Sequence, residues 1–292
     1  MYEKFLESSF RNMTDHGRQA ITSIIEIRNK KVKKLNLYQV DAFASSLFTG
    51  NPAAVCPLDQ WLTDDQMQAI AEENNLSETA FFVPYNNGYQ IRWFTPNEEV
   101  DLCGHATLAS AYIVFEKLRY QHSEIIFHSK SGELRVSREN NMLKMDFPAL
   151  PYKKINPTKE LYEALNVKPN AFFKSKFDLL CIFESEKEVE QANPNLLEIA
   201  ALDYRGVILT ALSTKHDVYS RCFYPGCSVP EDPVTGSAHC VIAPYWCEQL
   251  NKKRIHARQG LKRQGELICE VQGDRVLLFG NCHLYLEGKI YI

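Results

Sequence analysis

Residues 231–239 read Glu231-Asp232-Pro233-Val234-Thr235-Gly236-Ser237-Ala238-His239, and this stretch decides the fold. Asp232 is held extended by the proline that follows it, and Gly236 frees the backbone to turn. Ser237 is the expected N-cap of a helix over the apolar run Ala238 to Tyr245. A helix that starts after such a turn aims unpaired backbone N–H groups at whatever lies in front of it. That is a cradle for an anion or an enolate.

The chain carries the device twice. Leu102-Cys103-Gly104-His105-Ala106-Thr107 opens another apolar helix, expected to run through Leu118. Gly104-His105-Ala106 returns as Gly236-Ser237-Ala238, and Glu116-x-Leu118 as Glu248-x-Leu250, both at an offset of 132. Arg92-x-Phe94-x-Pro96 returns as Arg221-x-Phe223-x-Pro225, and Ile70-Ala71 as Ile199-Ala200, both at 129. Gly132-Glu133-Leu134 returns as Gly265-Glu266-Leu267 at 133. An ordered series of this kind implies two copies of one α+β unit. Facing each other across a pseudo-twofold axis, the copies would bring both glycine turns to one cleft, the default active site. The expected division is an extension over 1–34, a first domain over 35–148 completed by 282–292, and a second over 149–281. Phe147-Pro148-Ala149-Leu150-Pro151 reads as the extended linker between them.

Local signals fill in the first copy. Leu37 to Phe43 alternates with period two, Thr49-Gly50-Asn51-Pro52 breaks the pattern, and Ala53 to Cys56 reads as a short buried strand. Thr63 with Gln66 forms a capping box for a helix that buries Met67, Ile70 and Ala71 and ends near Asn74-Asn75. Asn86-Asn87-Gly88 is a hairpin turn.

The bulk numbers narrow the class of function. Lys plus Arg is 33 against 36 for Asp plus Glu, a net charge of -3, so no basic surplus points to nucleic acid. Nine cysteines without regular pairing fit a reducing compartment, hence a cytoplasmic protein. No Cys or His pair at zinc spacing follows Cys222 and Cys227, so no metal is expected. The apolar stretch Ala106 to Phe115 is too short to span a bilayer. Met1 to Lys34 is rich in charge, with an amphipathic helix candidate over Ile21 to Leu35; it reads as a poorly ordered extension or an extra helix.

Acid–base chemistry needs a carboxylate beside groups that hold a polarised oxygen. Glu78, flanked by Leu76, Phe81 and Phe82, has surroundings suited to raising a carboxylate pKa. His105 is placed to orient or relay a proton, and Asp232 to fix His105 or the substrate.

Thr49 to Val55, Leu76 to Phe81, Leu102 to Thr107 and Glu231 to Ala238 together resemble the PhzF family, the phenazine-biosynthesis-like isomerases, from about Leu37 to the C-terminus. The resemblance implies a diaminopimelate epimerase-like α+β fold: two pseudo-symmetric domains, each a mixed β-barrel-like sheet around a central helix, with the active site in the cleft between them. It also implies an isomerase in which a glutamate moves a proton on a small unsaturated or cyclic carboxylic acid, without metal or organic cofactor. Residue by residue, Glu78 matches the acid/base of the S-E-T motif, His105 the histidine of G-H, and Asp232 and Ser237 the D-P-x-T-G-S pair. Asn51, Ser77, Gly104, Thr235 and Gly236 lie in the same motifs as expected substrate-binding positions. The family is commonly homodimeric, and neither nucleic acid nor membrane is an expected partner.

One departure opens a second reading. Cys103 before Gly104 makes C-G-H, similar to the thiol motif of cofactor-independent epimerases and proline-type racemases. Two-base racemisation needs a facing thiol, and the corresponding turn offers Thr235. A one-thiol epimerase or dehydratase using Cys103 therefore stands as an alternative, and a non-catalytic binding module on the same fold as another.

Overall fold

The computed structural model describes Thr14, residues 32–227 and residues 229–292. The amphipathic segment expected before Leu35 falls almost wholly outside these residues. Asn36–Gly288 forms one compact unit, and residues up to Leu35 group with Lys289–Ile292. In that small group Lys33 and Ile292 exchange two backbone hydrogen bonds, of 2.8 and 3.0 Å.

In the first copy, β1 (Lys34–Ala42) runs antiparallel to β2 (Asn51–Pro57), which lies parallel to β3 (Glu78–Tyr85) after the crossover helix α1 (Asp64–Asn74). The capping box at Thr63 and Gln66 is present, and Asn75 ends α1 in the left-handed region. β3 turns through Asn86-Asn87 into antiparallel β4 (Gly88–Phe94), which pairs with short β5 (Glu99–Val100). Helix α2 (Gly104–Glu116) follows, then β6 (Glu124–Ser129), parallel to β4, and the meander β7 (Gly132–Glu139) and β8 (Met142–Pro148). α2 ends two residues short of Leu118; the Lys117 and Leu118 N–H groups both bond to Ile113 O.

The second copy opens with β9 (Tyr152–Ile155), α3 (Lys159–Leu165), β10 (Ala171–Ser175), β11 (Asp178–Ile182), α4 (Glu186–Gln191) and α5 (Leu196–Ala200). It continues with β12 (Gly206–Leu212), β13 (Val218–Tyr224), β14 (Val229–Asp232), α6 (Gly236–Leu250), β15 (Arg254–Gln259), β16 (Gly265–Gln272) and β17 (Arg275–Gly280). Antiparallel β10–β11, parallel β11–β12, antiparallel β12–β13 and β13–β14, parallel β13–β15, then antiparallel β15–β16 and β16–β17 repeat the pairings from β1 to β8 in order and sense. Arg92 and Arg221 fall on the matching strands β4 and β13, as the offset requires. β18 (Cys282–Tyr291) pairs with β1.

α2 and α6 are apolar on nearly all sides because each is a core helix; His105 to Ala111 and Ala238 to Ala243 are buried throughout. The copies are joined by antiparallel β8 and β17, with Leu143 opposite Gly280 and Pro148 opposite Arg275. The segment after Phe147 is extended but not a free linker. Ala149 N–H donates to Asp274 O at 2.7 Å and Leu150 N–H to Cys240 O at 2.8 Å. No helix among the described residues is long and apolar enough to cross a membrane.

Candidate active site

Asn51 opens β2, and its position depends on the glycine before it. Gly50 has φ +71°, and a Cβ there would meet Ala42 O at 2.3 Å, so this turn accepts no side chain. Fully buried Asn51 then donates its amide to Asp232 Oδ1 at 2.7 Å and Val234 O at 3.0 Å, and the same nitrogen lies 3.3 Å from His105 Nδ1. One side chain of the first copy thus ties its own G-H turn to the D-P-x-T-G turn of the second. Ser77 Oγ donates to Asn51 Oδ1 at 3.4 Å.

Glu78 is the first residue of β3, with a side chain 15% exposed. Its Oε2 lies 3.1 Å from His105 Nε2, out of hydrogen-bond alignment, and neither buried atom has another partner among the described residues. The opposite edge of the imidazole faces Cys103, whose Sγ is 3.5 Å from Nδ1. Burial depresses the His105 pKa, but its polar neighbours, the Glu78 carboxylate among them, outweigh it and hold the ring well above its ordinary value. Burial and the Glu78 charge push the Cys103 thiol up, against a nucleophilic thiolate. Burial also lifts Asp232 from 3.8 to about 6, although His105, the Thr235 hydroxyl and the Asn51 amide all favour its charged form. Glu78, Cys103 and His105 offer ligand atoms within 4.8 Å of one another. Glu78 addresses Nε2 and Cys103 addresses Nδ1, however, and a single ion takes only one nitrogen from a ring.

The second turn differs from its reading in one respect. The N-cap of α6 is Thr235, and Ser237 lies inside the first turn. Thr235 donates its hydroxyl to Asp232 Oδ2, so it makes no capping bond to the helix. Ser237 Oγ is held instead at 3.1 Å by Arg205, whose guanidinium is clamped on buried Asp178. Gln259 completes the turn: its amide donates to Asp232 O at 2.8 Å and Thr235 Oγ1 at 3.0 Å, and accepts from Thr235 N at 3.0 Å. Arg205, Asp178 and Gln259 lie outside the motifs, and no local pattern marks them.

The two glycine turns meet. A Cβ on Gly104 would lie 3.8 Å from the Gly236 Cα, so the starts of α2 and α6 are in near-backbone contact. Neither N-cap, Cys103 nor Thr235, makes a side-chain cap bond, and the same is true of Thr158 before α3. Thr63, Ser185 and Asn195, by contrast, cap α1, α4 and α5. The first-turn N–H groups of the two core helices are therefore left without side-chain caps where the helices converge. The copies do not supply the same acid. In the strand register the counterpart of Glu78 is Gly206, and at the offset of 132 those of Cys103 and His105 are Thr235 and Ser237.

Residues 40–288 match the family described as phenazine biosynthesis-like protein. The chain is 48% identical to an uncharacterized isomerase of Pseudomonas aeruginosa over 89% of this chain and all of that protein. It is 39% identical to a phenazine biosynthesis-like domain-containing protein of Bos taurus, over 88% of this chain and 99% of that one. Among solved structures, a phenazine biosynthesis protein of the PhzF family from Enterococcus faecalis superposes with a TM-score of 0.86 at 41% identity, over 89% of this chain and 100% of that one. A hydroxyproline epimerase from Agrobacterium vitis shares the fold alone, with a TM-score of 0.56 at 10% identity over 89% of this chain and 93% of that one. With its duplicated α+β architecture and its four motifs, the chain belongs to the PhzF family of phenazine biosynthesis-like proteins.

Proposed function

We propose that the protein is a cofactor-independent isomerase that moves a proton on a small unsaturated or cyclic carboxylic acid, with Glu78 as the acid/base. The observation that carries this reading is the Glu78–His105 pair, 3.1 Å apart and buried without other partners beside two converging helix starts. A carboxylate with an unengaged oxygen is free to accept a proton from carbon. The N–H groups of the first turns of α2 and α6 hold the substrate carboxylate and the enolate-like charge that develops next to it. His105 stands by Glu78 to steady its charge, and Arg205 fixes the Ser237 hydroxyl at the edge of the cradle.

Metal-free proton transfer suits the opposed placement of Glu78 and Cys103 about the imidazole better than ligation does. A thiol mechanism is disfavoured because burial keeps Cys103 protonated. The test is incubation with candidate unsaturated acids in deuterium oxide, followed by mass spectrometry and NMR. Wild-type protein should place solvent deuterium in a substrate and Glu78→Gln should not. Full exchange in that variant ends the reading; exchange lost only in Cys103→Ser moves it to the thiol. Binding without exchange points to a module.

A further inference from the structure

A second group of ligand-type side chains lies outside the Glu78 site. His216 precedes β13 in the turn from β12, His256 lies on β15, and Glu266 lies on β16. In the β15–β16 register His256 faces Ile268 and Arg258 faces Glu266, so His256 and Glu266 are diagonal neighbours on one face. The β12–β13 turn is brought to that face by a backbone exchange: Asp217 N–H donates to His256 O at 2.9 Å, and His256 N–H donates to Asp217 Oδ2 at 2.8 Å.

Both imidazoles converge on one carboxylate oxygen. His256 Nε2 is 3.3 Å and His216 Nε2 3.6 Å from Glu266 Oε2, and one ligand atom from each residue lies within 4.8 Å of the others. A charge-assisted hydrogen bond would draw each pair to about 2.7–2.9 Å. Two ligands bonded at about 2.0–2.1 Å to a tetrahedral centre stand roughly 3.3–3.4 Å apart. The His256 separation of 3.3 Å matches the second spacing, and the His216 separation of 3.6 Å is slightly longer. The rings pack edge to face, 4.6 Å between centroids at 82°. Nearby Arg258 does not claim Glu266; its guanidinium is engaged by Glu186, Glu190 and Gln264. His256 and Glu266 also line a cavity of about 260 Å³ with Ala44, Ser45, Met142 and Asn281, which leaves room for a coordinated water.

We propose that His216, His256 and Glu266 form a three-ligand site for a divalent transition-metal ion of the zinc type, with the fourth position open to water. Two imidazoles and one carboxylate select such ions over magnesium or calcium, which prefer all-oxygen shells. A bound ion would tie the β12–β13 turn to the β15–β16 hairpin. None of the three residues belongs to the Glu78 site, so this proposal stands or falls apart from the proposed function.

The experiment uses the full chain stripped with chelator and titrated with Zn²⁺ and Co²⁺ by calorimetry and visible absorption. One equivalent should bind with Kd on the order of micromolar. Co²⁺ should give the intense visible bands of a four-coordinate site without a thiolate charge-transfer band, and Zn²⁺ should raise the melting temperature. His256→Ala and Glu266→Gln should each weaken binding about 100-fold and abolish the thermal gain, while Cys103→Ala should leave both unchanged. His256 is 44% exposed at its side chain, so its variant tests the site even where His216→Ala fails to fold. The proposal is overturned by an absence of binding in wild-type protein, by binding that survives both His256→Ala and Glu266→Gln, or by binding lost with Cys103.

Discussion

Glu78, largely shielded, and Asp232, buried, are two carboxylates with different company, and the proposed function gives them different tasks. Asp232 is saturated with donors from Asn51 and Thr235, whereas Glu78 Oε2 has none. Glu78→Gln should therefore lower deuterium incorporation by about 10²–10⁴-fold, the span of general-base contributions, with the fold unchanged by circular dichroism. Asp232 has a pH signature. Its folded pKa of about 6 stands above 3.8, so its contribution to stability is fully present below pH 3.8 and is lost as pH rises through 6. The loss is at most about 3 kcal/mol. Asp232→Asn removes the titration, so its melting temperature should gain on the wild type as pH rises from 3.8 to about 6; a gap that stays constant across that range would refute the assignment. The motif residues were readable in the chain because each sits in a short turn of its own making. Arg205 and Gln259 were not, because nothing local says that an arginine before β12 and a glutamine ending β15 fold back onto α6.

At the scale of elements, the same arginine occurs twice with unequal surroundings. Arg221 is nearly buried, pairs with Glu231 at 2.8 Å, and donates to the carbonyls of Val189, Glu190 and Ala192. Arg92 pairs with Glu99 and exposed Asp64. Arg221→Ala removes the arginine donor from three carbonyls and a carboxylate and should cost about 3–5 kcal/mol in urea unfolding. Arg92→Ala should cost distinctly less. For the helix starts, Gly104→Ala places a methyl 3.8 Å from Gly236, an ordinary contact that preserves the fold. It fills the mouth of the cradle, so the expected effect is a raised KM with unchanged thermal stability. The start of α1 was legible from Thr63 and Gln66 alone. The start of α6 was misjudged by two residues, because Asp178 reaches across the chain to settle what Ser237 binds, through Arg205.

For the whole molecule, duplication was the most legible feature, since five landmark pairs kept their order and the strand pairings recur with them. How the copies join was not legible: the β8–β17 ladder pairs residues 143–148 with 275–280, and each strand reads as an ordinary hairpin partner. That ladder, and Arg263 bonding to Asp41, Thr49 O and Gly50 O, should make the copies unfold as one. Trp93 and Trp246 are buried in different copies. Variants retaining only one of these tryptophans should show coincident denaturant midpoints, and separated midpoints would mean independent halves. The unequal copies also bear on handedness. Where the first copy has Glu78 at the start of β3, the second has Gly206 at the start of β12, so an intermediate of the proposed reaction meets a carboxylate at that position from one copy only. The isotope taken up from solvent should therefore occupy a single prochiral position, and the product should leave as one enantiomer.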